Sequence, residues 1–188
     1  MTSRKYLCFS GSNAVSKLIA VIAAGFFALA PIADVHADEI ADCAAAQASD
    51  ESGQPIYFWQ HTFADGTHDL VMAASADAQP PEIKRVTYGG GKEAGCHYTG
   101  LALARGDDWG WHLAWADSRG LYYARMDGAA WVSSPSKRLS SSHIQQISLD
   151  ISVSQVKLVW QEESGGAVKY FEAVSEDEGR SWEPLPAH

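Results

Sequence analysis

The sequence predicts an all-β protein made of three repeated antiparallel units, and three observations point there. No stretch beyond the first 37 residues shows the 3.6-residue apolar period of an amphipathic helix. Short apolar runs are instead broken at close intervals by Gly, Asp and Ser turns. Most tellingly, one grammar recurs three times: a strand ending in tryptophan, an acidic or Gly-bearing turn, a second strand carrying aromatics, and a further turn. The anchoring tryptophans Trp59, Trp115 and Trp160 lie 56 and 45 residues apart, the length of a supersecondary repeat.

The chain opens with a targeting pattern. Arg4, Lys5 and Lys17 are basic, Leu18 to Ala30 is apolar and Pro31 ends that run. Val35-His36-Ala37 then offers a cleavage site before Asp38. The apolar run is short for a membrane span. Residues 1–37 therefore read as a cleaved signal peptide and residues 38–188 as a single all-β domain, large enough for one core. Loss of the three basic residues and one acidic residue of the signal takes the net charge from −9 to −11. That balance argues against nucleic acid, and against an anionic membrane once the signal is removed. It suits a basic protein partner.

Of three cysteines, Cys8 falls in the signal, leaving Cys43 and Cys96. In an exported protein an even pair implies a disulfide and an oxidising compartment, here the periplasm. A catalytic thiol is the competing assignment. Around the first of them, the Ala-rich run Asp42 to Ala48 is the one stretch with the composition of a short helical turn.

The first unit runs Ile56-Tyr57-Phe58-Trp59, turns at Ala64-Asp65-Gly66, continues as Leu70-Val71-Met72 and ends at Ser75-Ala76-Asp77. The second runs Trp111 to Trp115, turns at Asp117 to Gly120, continues as Leu121 to Arg125 and ends at Met126-Asp127-Gly128-Ala129-Ala130-Trp131. The third runs Val156 to Trp160, turns at Ser164-Gly165-Gly166, continues as Val168 to Phe171 and closes on Ser175 to Trp182. His97 to Ala104 and Ile144 to Ile151 alternate apolar and polar residues ahead of the second and third units, as half-buried strands do.

The closing stretch, Ser175-Glu176-Asp177-Glu178-Gly179-Arg180-Ser181-Trp182, has the form S-x-D-x-G-x-x-W. Ser175 and Asp177 can hold backbone N–H groups across a turn, Gly179 can take the positive φ that closes it, and Trp182 can fold back as a seal. The pattern resembles the Asp-box of sialidase-like β-propellers, where it is a structural turn. That resemblance covers about Gln54 to Pro184 and implies three propeller-like blades; a β-sandwich with a tryptophan-rich core is the competing architecture. Sialidases of this kind use an arginine triad, an acidic proton donor and a Tyr–Glu nucleophile pair. No such set matches here: Arg85, Arg105, Arg119, Arg125, Arg138 and Arg180 are scattered over turns, and Tyr122-Tyr123 lie mid-strand with opposite orientations.

Other catalytic patterns are equally thin. His61, His68, His97, His112, His143 and His188 show no H-E-x-x-H spacing, although His61 and His68 could meet on facing strands. Gly89-Gly90-Gly91-Lys92 lacks the spacing and the Ser/Thr of a phosphate loop and reads as a flexible connection. Ser133, Ser134 and His143 lack a nucleophile elbow. The sequence therefore points to no catalytic residue, metal or cofactor.

Binding is the remaining class. Ser133 to Ser142 is the longest polar connection, and its Ser133, Ser134, Ser136, Lys137 and Arg138 form the candidate partner-binding loop. Trp109 and Trp111 would share one face of a strand and offer an aromatic contact. In overall plan the chain resembles periplasmic immunity proteins that neutralise peptidoglycan amidases delivered by type VI secretion. That resemblance implies insertion of a serine-bearing loop, here Ser133-Ser134 or Ser140 to Ser142, into a secreted hydrolase. A carbohydrate-binding propeller module and a degenerate sialidase-like hydrolase completed by dimerisation are the alternatives.

Overall fold

The computed structural model describes residues 43–80, 82–107, 110–164 and 166–185; residues 1–37, read above as a signal peptide, and Trp109 lie outside them. Among the described residues the chain is all-β, with twelve strands and no helix. The first sheet holds β1 (Ala45–Ser49), β2 (Pro55–Thr62), β3 (His68–Ala73) and β4 (Lys84–Arg85). The second holds β5 (Tyr98–Gly106), β6 (Gly110–Asp117), β7 (Gly120–Asp127) and β8 (Lys137–Ser140). The third holds β9 (Ile144–Ser152), β10 (Gln155–Ser164), β11 (Ala167–Ser175) and β12 (Glu183–Leu185). Each sheet is an antiparallel meander in chain order. None closes on itself; β1 packs against β5 and β5 against β9, so the sheets stack face to face.

Two expectations need correction. The Ala-rich run is strand rather than helix: Ala45 to Ser49 pair with Ser49↔Pro55 through Ala45↔Trp59 of β2, and Ala46 and Ala48 pack on the core. Tertiary pairing overrides a weak propensity. The polar connection Ser133 to Ser142 is not a free loop, since Lys137 to Ser140 form β8 and Ser133 bridges to Met126.

The repeat is physical as well as textual. Trp59, Trp115 and Trp160 occupy the second strand of their sheets, opposite Val71, Tyr122 and Phe171. Trp115 lies in the core between the first two sheets, and Trp160 in that between the second and third. Trp59 points the other way, to a face with no further sheet against it among the described residues. The β3–β4 connection folds over it instead, with Ala78 and Ile83 buried against Trp59, Val71 and Ala73. At the opposite end, the outer face of the third sheet carries a Lys157–Glu172 ion pair, a 2.6 Å Gln161–Gln146 amide bond and the half-exposed Tyr170. Among the described residues one end is covered and the other is wettable. β6 between them is buried on both faces and reads as a continuous apolar run (Trp111, Leu113, Ala114, Trp115, Ala116) broken by His112.

The turns joining third to fourth strands each carry an Asp, at Asp77, Asp127 and Asp177. In the third sheet Ser175 Oγ accepts from Gly179 N at 2.7 Å and donates to Asp177 Oδ1 at 2.8 Å. Asp177 Oδ1 in turn accepts from Ser181 N at 2.7 Å, and Gly179 has φ 81°. These bonds from Ser181 and Ser175 hold the Asp177 carboxyl well below the usual carboxylate range. In the second sheet Asp127 Oδ1 accepts from Ala129 N at 3.0 Å; in the first, Ser75 Oγ accepts from Asp77 N at 3.3 Å.

Trp182 folds back onto Tyr123 of β7, edge to face with ring centroids 4.7 Å apart. A Cβ on Gly179 would overlap the Tyr123 hydroxyl. The turn Ser175 to Trp182 therefore clamps the third sheet onto the second. Ser175 is buried, so Ser175→Ala leaves the Gly179 N–H without its acceptor and should cost about 1–3 kcal/mol in urea unfolding. An unchanged unfolding midpoint would refute the clamp.

Candidate functional site

A cleft of about 790 Å³ lies between the first and second sheets. One wall comes from His68 at the start of β3, the segment Val86 to Gly91 after β4, and His97 before β5. The other comes from Trp115, the β6–β7 turn with Asp117 and Arg119, and Tyr122. Ser133 to Ser136 close the rim.

Each wall is braced from behind. Buried Asp69 pairs with Arg85 and accepts from Thr87 Oγ1 at 3.0 Å and Gly89 N at 3.2 Å; these bonds shape the Val86 to Gly91 segment. Gly90 is required there, since a Cβ would collide with the His68 carbonyl. The Tyr98 hydroxyl lies 3.4 Å from Thr87 Oγ1, and burial pushes the phenol's pKa up, so it stays a neutral donor and acceptor. Tyr88 stands 75 % exposed at the rim.

On the facing wall, buried Asp117 accepts from Arg119 N at 2.7 Å, Nε at 3.0 Å and Nη2 at 2.6 Å. The guanidinium is thereby held in place, 5.7 Å over the Tyr122 ring, with its side chain 74 % exposed. An ordered arginine with its charge half-satisfied from below is set to bind a carbonyl or carboxylate above.

The Cys43–Cys96 disulfide, with a Cα separation of 5.3 Å, ties the segment before β1 to the residue preceding His97 of the cleft wall. Gln60 of β2 reinforces it: its Nε2 donates to Gly95 O at 2.9 Å and its Oε1 accepts from His97 N at 2.8 Å. His97 is consequently fixed through its backbone on both sides.

The sequence-predicted residues separate into groups. Ser133, Ser134 and Ser136 do reach the site, as rim rather than as a projecting finger. Ser134 Oγ accepts from Arg125 N at 3.0 Å and Ser133 Oγ donates to Ser134 O at 2.9 Å. Lys137 and Arg138 leave the rim along β8, where Lys137 Nζ donates to Arg180 O at 3.0 Å. Trp111 is 2 % exposed and belongs to the core between the first two sheets; it offers no free face, because β6 is covered on both sides. Ser175, Asp177, Gly179 and Trp182 form a brace away from the cleft. His61 and His68 occupy adjacent register positions, His61↔Asp69 and Thr62↔His68, and so face opposite sides of the sheet.

His68, His97, Tyr88, Tyr98 and Arg119 come together only because the sheets stack, and no linear motif marks them. The usable signal was the Gly89-Gly90-Gly91 run, whose small residues allow close backbone approach to His68.

A second hollow of about 310 Å³ sits where the β1–β2 turn meets Arg105, Trp111 and Trp131. Exposed Glu51 pairs with Arg105 across it. Among the described residues no group of three or more His, Cys, Asp or Glu is placed to hold a metal ion. No protein-family model and no curated protein matches the chain.

Proposed function

We propose that this chain is a non-enzymatic binding protein, an open propeller-like array of three blades whose recognition site is the cleft between the first two. The observation that carries it is the cleft's lining: three tyrosines, four serines and three glycines around one ordered Arg119. That is the composition of an adaptable protein-recognition surface. Tyr gives large contact area at low entropic cost, and Ser and Gly give hydrogen bonding to whatever backbone enters.

The most specific form of this reading is an inhibitor of a cell-wall hydrolase in the periplasm, as the resemblance to immunity proteins suggests. The disulfide supports export. The concave site favours a partner loop entering the cleft over a serine finger leaving it. Arg119 would hold a carbonyl or carboxylate of that loop, Tyr88 would close over it, and the surplus of acidic residues would speed encounter with a basic enzyme. The covered face of the first sheet and the polar outer face of the third favour a monomer over a propeller completed by a second chain. The exposed Tyr88 ring also favours a second reading, a carbohydrate module that stacks a sugar at the rim.

Calorimetric titration of peptidoglycan amidases against the protein tests the proposal. A complex should form and block hydrolysis, and Tyr88→Ala and Arg119→Ala should each weaken it at least about tenfold, the range of an interface anchor. No complex with any amidase, together with binding on a glycan array, would replace the inhibitor by the carbohydrate module. A complex indifferent to both substitutions would move the site elsewhere.

A further inference from the structure

Within the cleft, His68 and His97 lie with ring centroids 5.0 Å apart. His97 Nε2 is 2.6 Å from Glu93 O. A carbonyl only accepts, so that nitrogen carries the proton and the neutral ring keeps its lone pair on Nδ1. His68 Nδ1 is 2.9 Å from Thr62 Oγ1, a contact either atom can donate; in the tautomer whose Nδ1–H donates to the hydroxyl, the lone pair lies on Nε2. Among the described residues neither remaining nitrogen has a protein partner.

Each imidazole is thus oriented by a hydrogen bond from its far nitrogen, the arrangement that fixes metal-binding histidines. The backbones are also held. Gly91 O accepts from His68 N at 3.0 Å, and His97 follows Cys96 of the disulfide, gripped by Gln60.

We propose that His68 and His97 form a two-imidazole site for a borderline divalent ion of the Zn²⁺, Ni²⁺ or Cu²⁺ class. With metal–nitrogen bonds of about 2.1 Å the ion lies roughly 3.2 Å from each ring centre. Centroids 5.0 Å apart then subtend about 100° at it. That angle falls between octahedral and tetrahedral values. Imidazole nitrogen selects these ions over Mg²⁺ and Ca²⁺. With no third protein ligand among the described residues, the other positions belong to water or to a side chain of whatever occupies the cleft. The site stands independently of the partner reading, because the ion alone is the probe.

Tag-free protein with its disulfide intact should bind one Cu²⁺, and the EPR spectrum should show superhyperfine coupling to two equatorial nitrogens. Zn²⁺ titration by calorimetry should give one-to-one binding. His68→Gln and His97→Gln should each weaken it at least tenfold, whereas His143→Gln, on the exposed link before β9, should leave it unchanged. The copper spectrum needs no variant and decides the matter should either substitution unfold the chain. Absence of a two-nitrogen signal, or zinc binding that survives both substitutions in folded protein, overturns the site.

Discussion

Exchange of Cys43 and Cys96 for serine should lower stability by about 4 kcal/mol, the loop-closure entropy of a 53-residue separation. In a domain of this size that is a fall of roughly 10 °C in Tm. The effect should exceed what most bonds at one site supply, because the bridge holds two things at once. It anchors β1, a strand of alanines with little apolar area of its own, and it fixes the backbone at His97 in the cleft wall. Calorimetric melting of the oxidised protein and the double-serine variant checks this. A loss under about 1 kcal/mol would show that β1 is held by pairing with β2 alone, since a constrained loop of this length predicts more.

Stability should also fall between pH 6.5 and pH 4 through one residue. His112, buried at 1 % exposure inside β6, has its Nδ1 2.5 Å from the Tyr123 hydroxyl, and its ring fills the space beside Gly106. Burial, with a smaller contribution from the Arg125 charge, pushes its pKa down to about 4. An unfolded histidine titrates near 6.5, so above that pH the residue is neutral in both states and contributes no pH dependence. Below it the unfolded chain takes up a proton that the folded chain refuses. Stability therefore drops as pH falls through this window, by about 3 kcal/mol when complete. Urea unfolding of the wild type and His112→Gln at pH 7 and pH 4.5 measures it. The wild type should lose more over that interval, and equal slopes would contradict the assignment.

The same pair shows how far the sequence could be read. Its repeats, turns and tryptophan positions were legible because strand pairing is local and period two survives in the letters. The disulfide was legible because only two cysteines, Cys43 and Cys96, lie beyond residue 37. Opposite orientations for Tyr122 and Tyr123 followed from strand geometry, and the two rings do face different sheets: Tyr122 the cleft, Tyr123 the Ser175 to Trp182 turn. What each ring meets did not follow, because the partners Arg119, Gly179 and His112 are set by stacking and register. The cleft was hidden for the same reason. His68 and His97 are 29 positions apart in the chain and meet across the β4–β5 connection. The Ala-rich run Asp42 to Ala48 was misread as a helical turn because alanine's local preference is weak and says nothing of a waiting β2 edge, which pairs with Ala45 to Ser49.

The central claim is that the cleft between the first two sheets is where this protein meets its partner. Hydrogen exchange measured on the protein alone and in complex with a cell-wall amidase tests it most directly. Slowed exchange is expected at Val86 to Gly91 and at Ser133 to Ser136, with Val168 to Glu172 on the wettable outer face of the third sheet unchanged. Protection along Val168 to Glu172 with none in the cleft would contradict it.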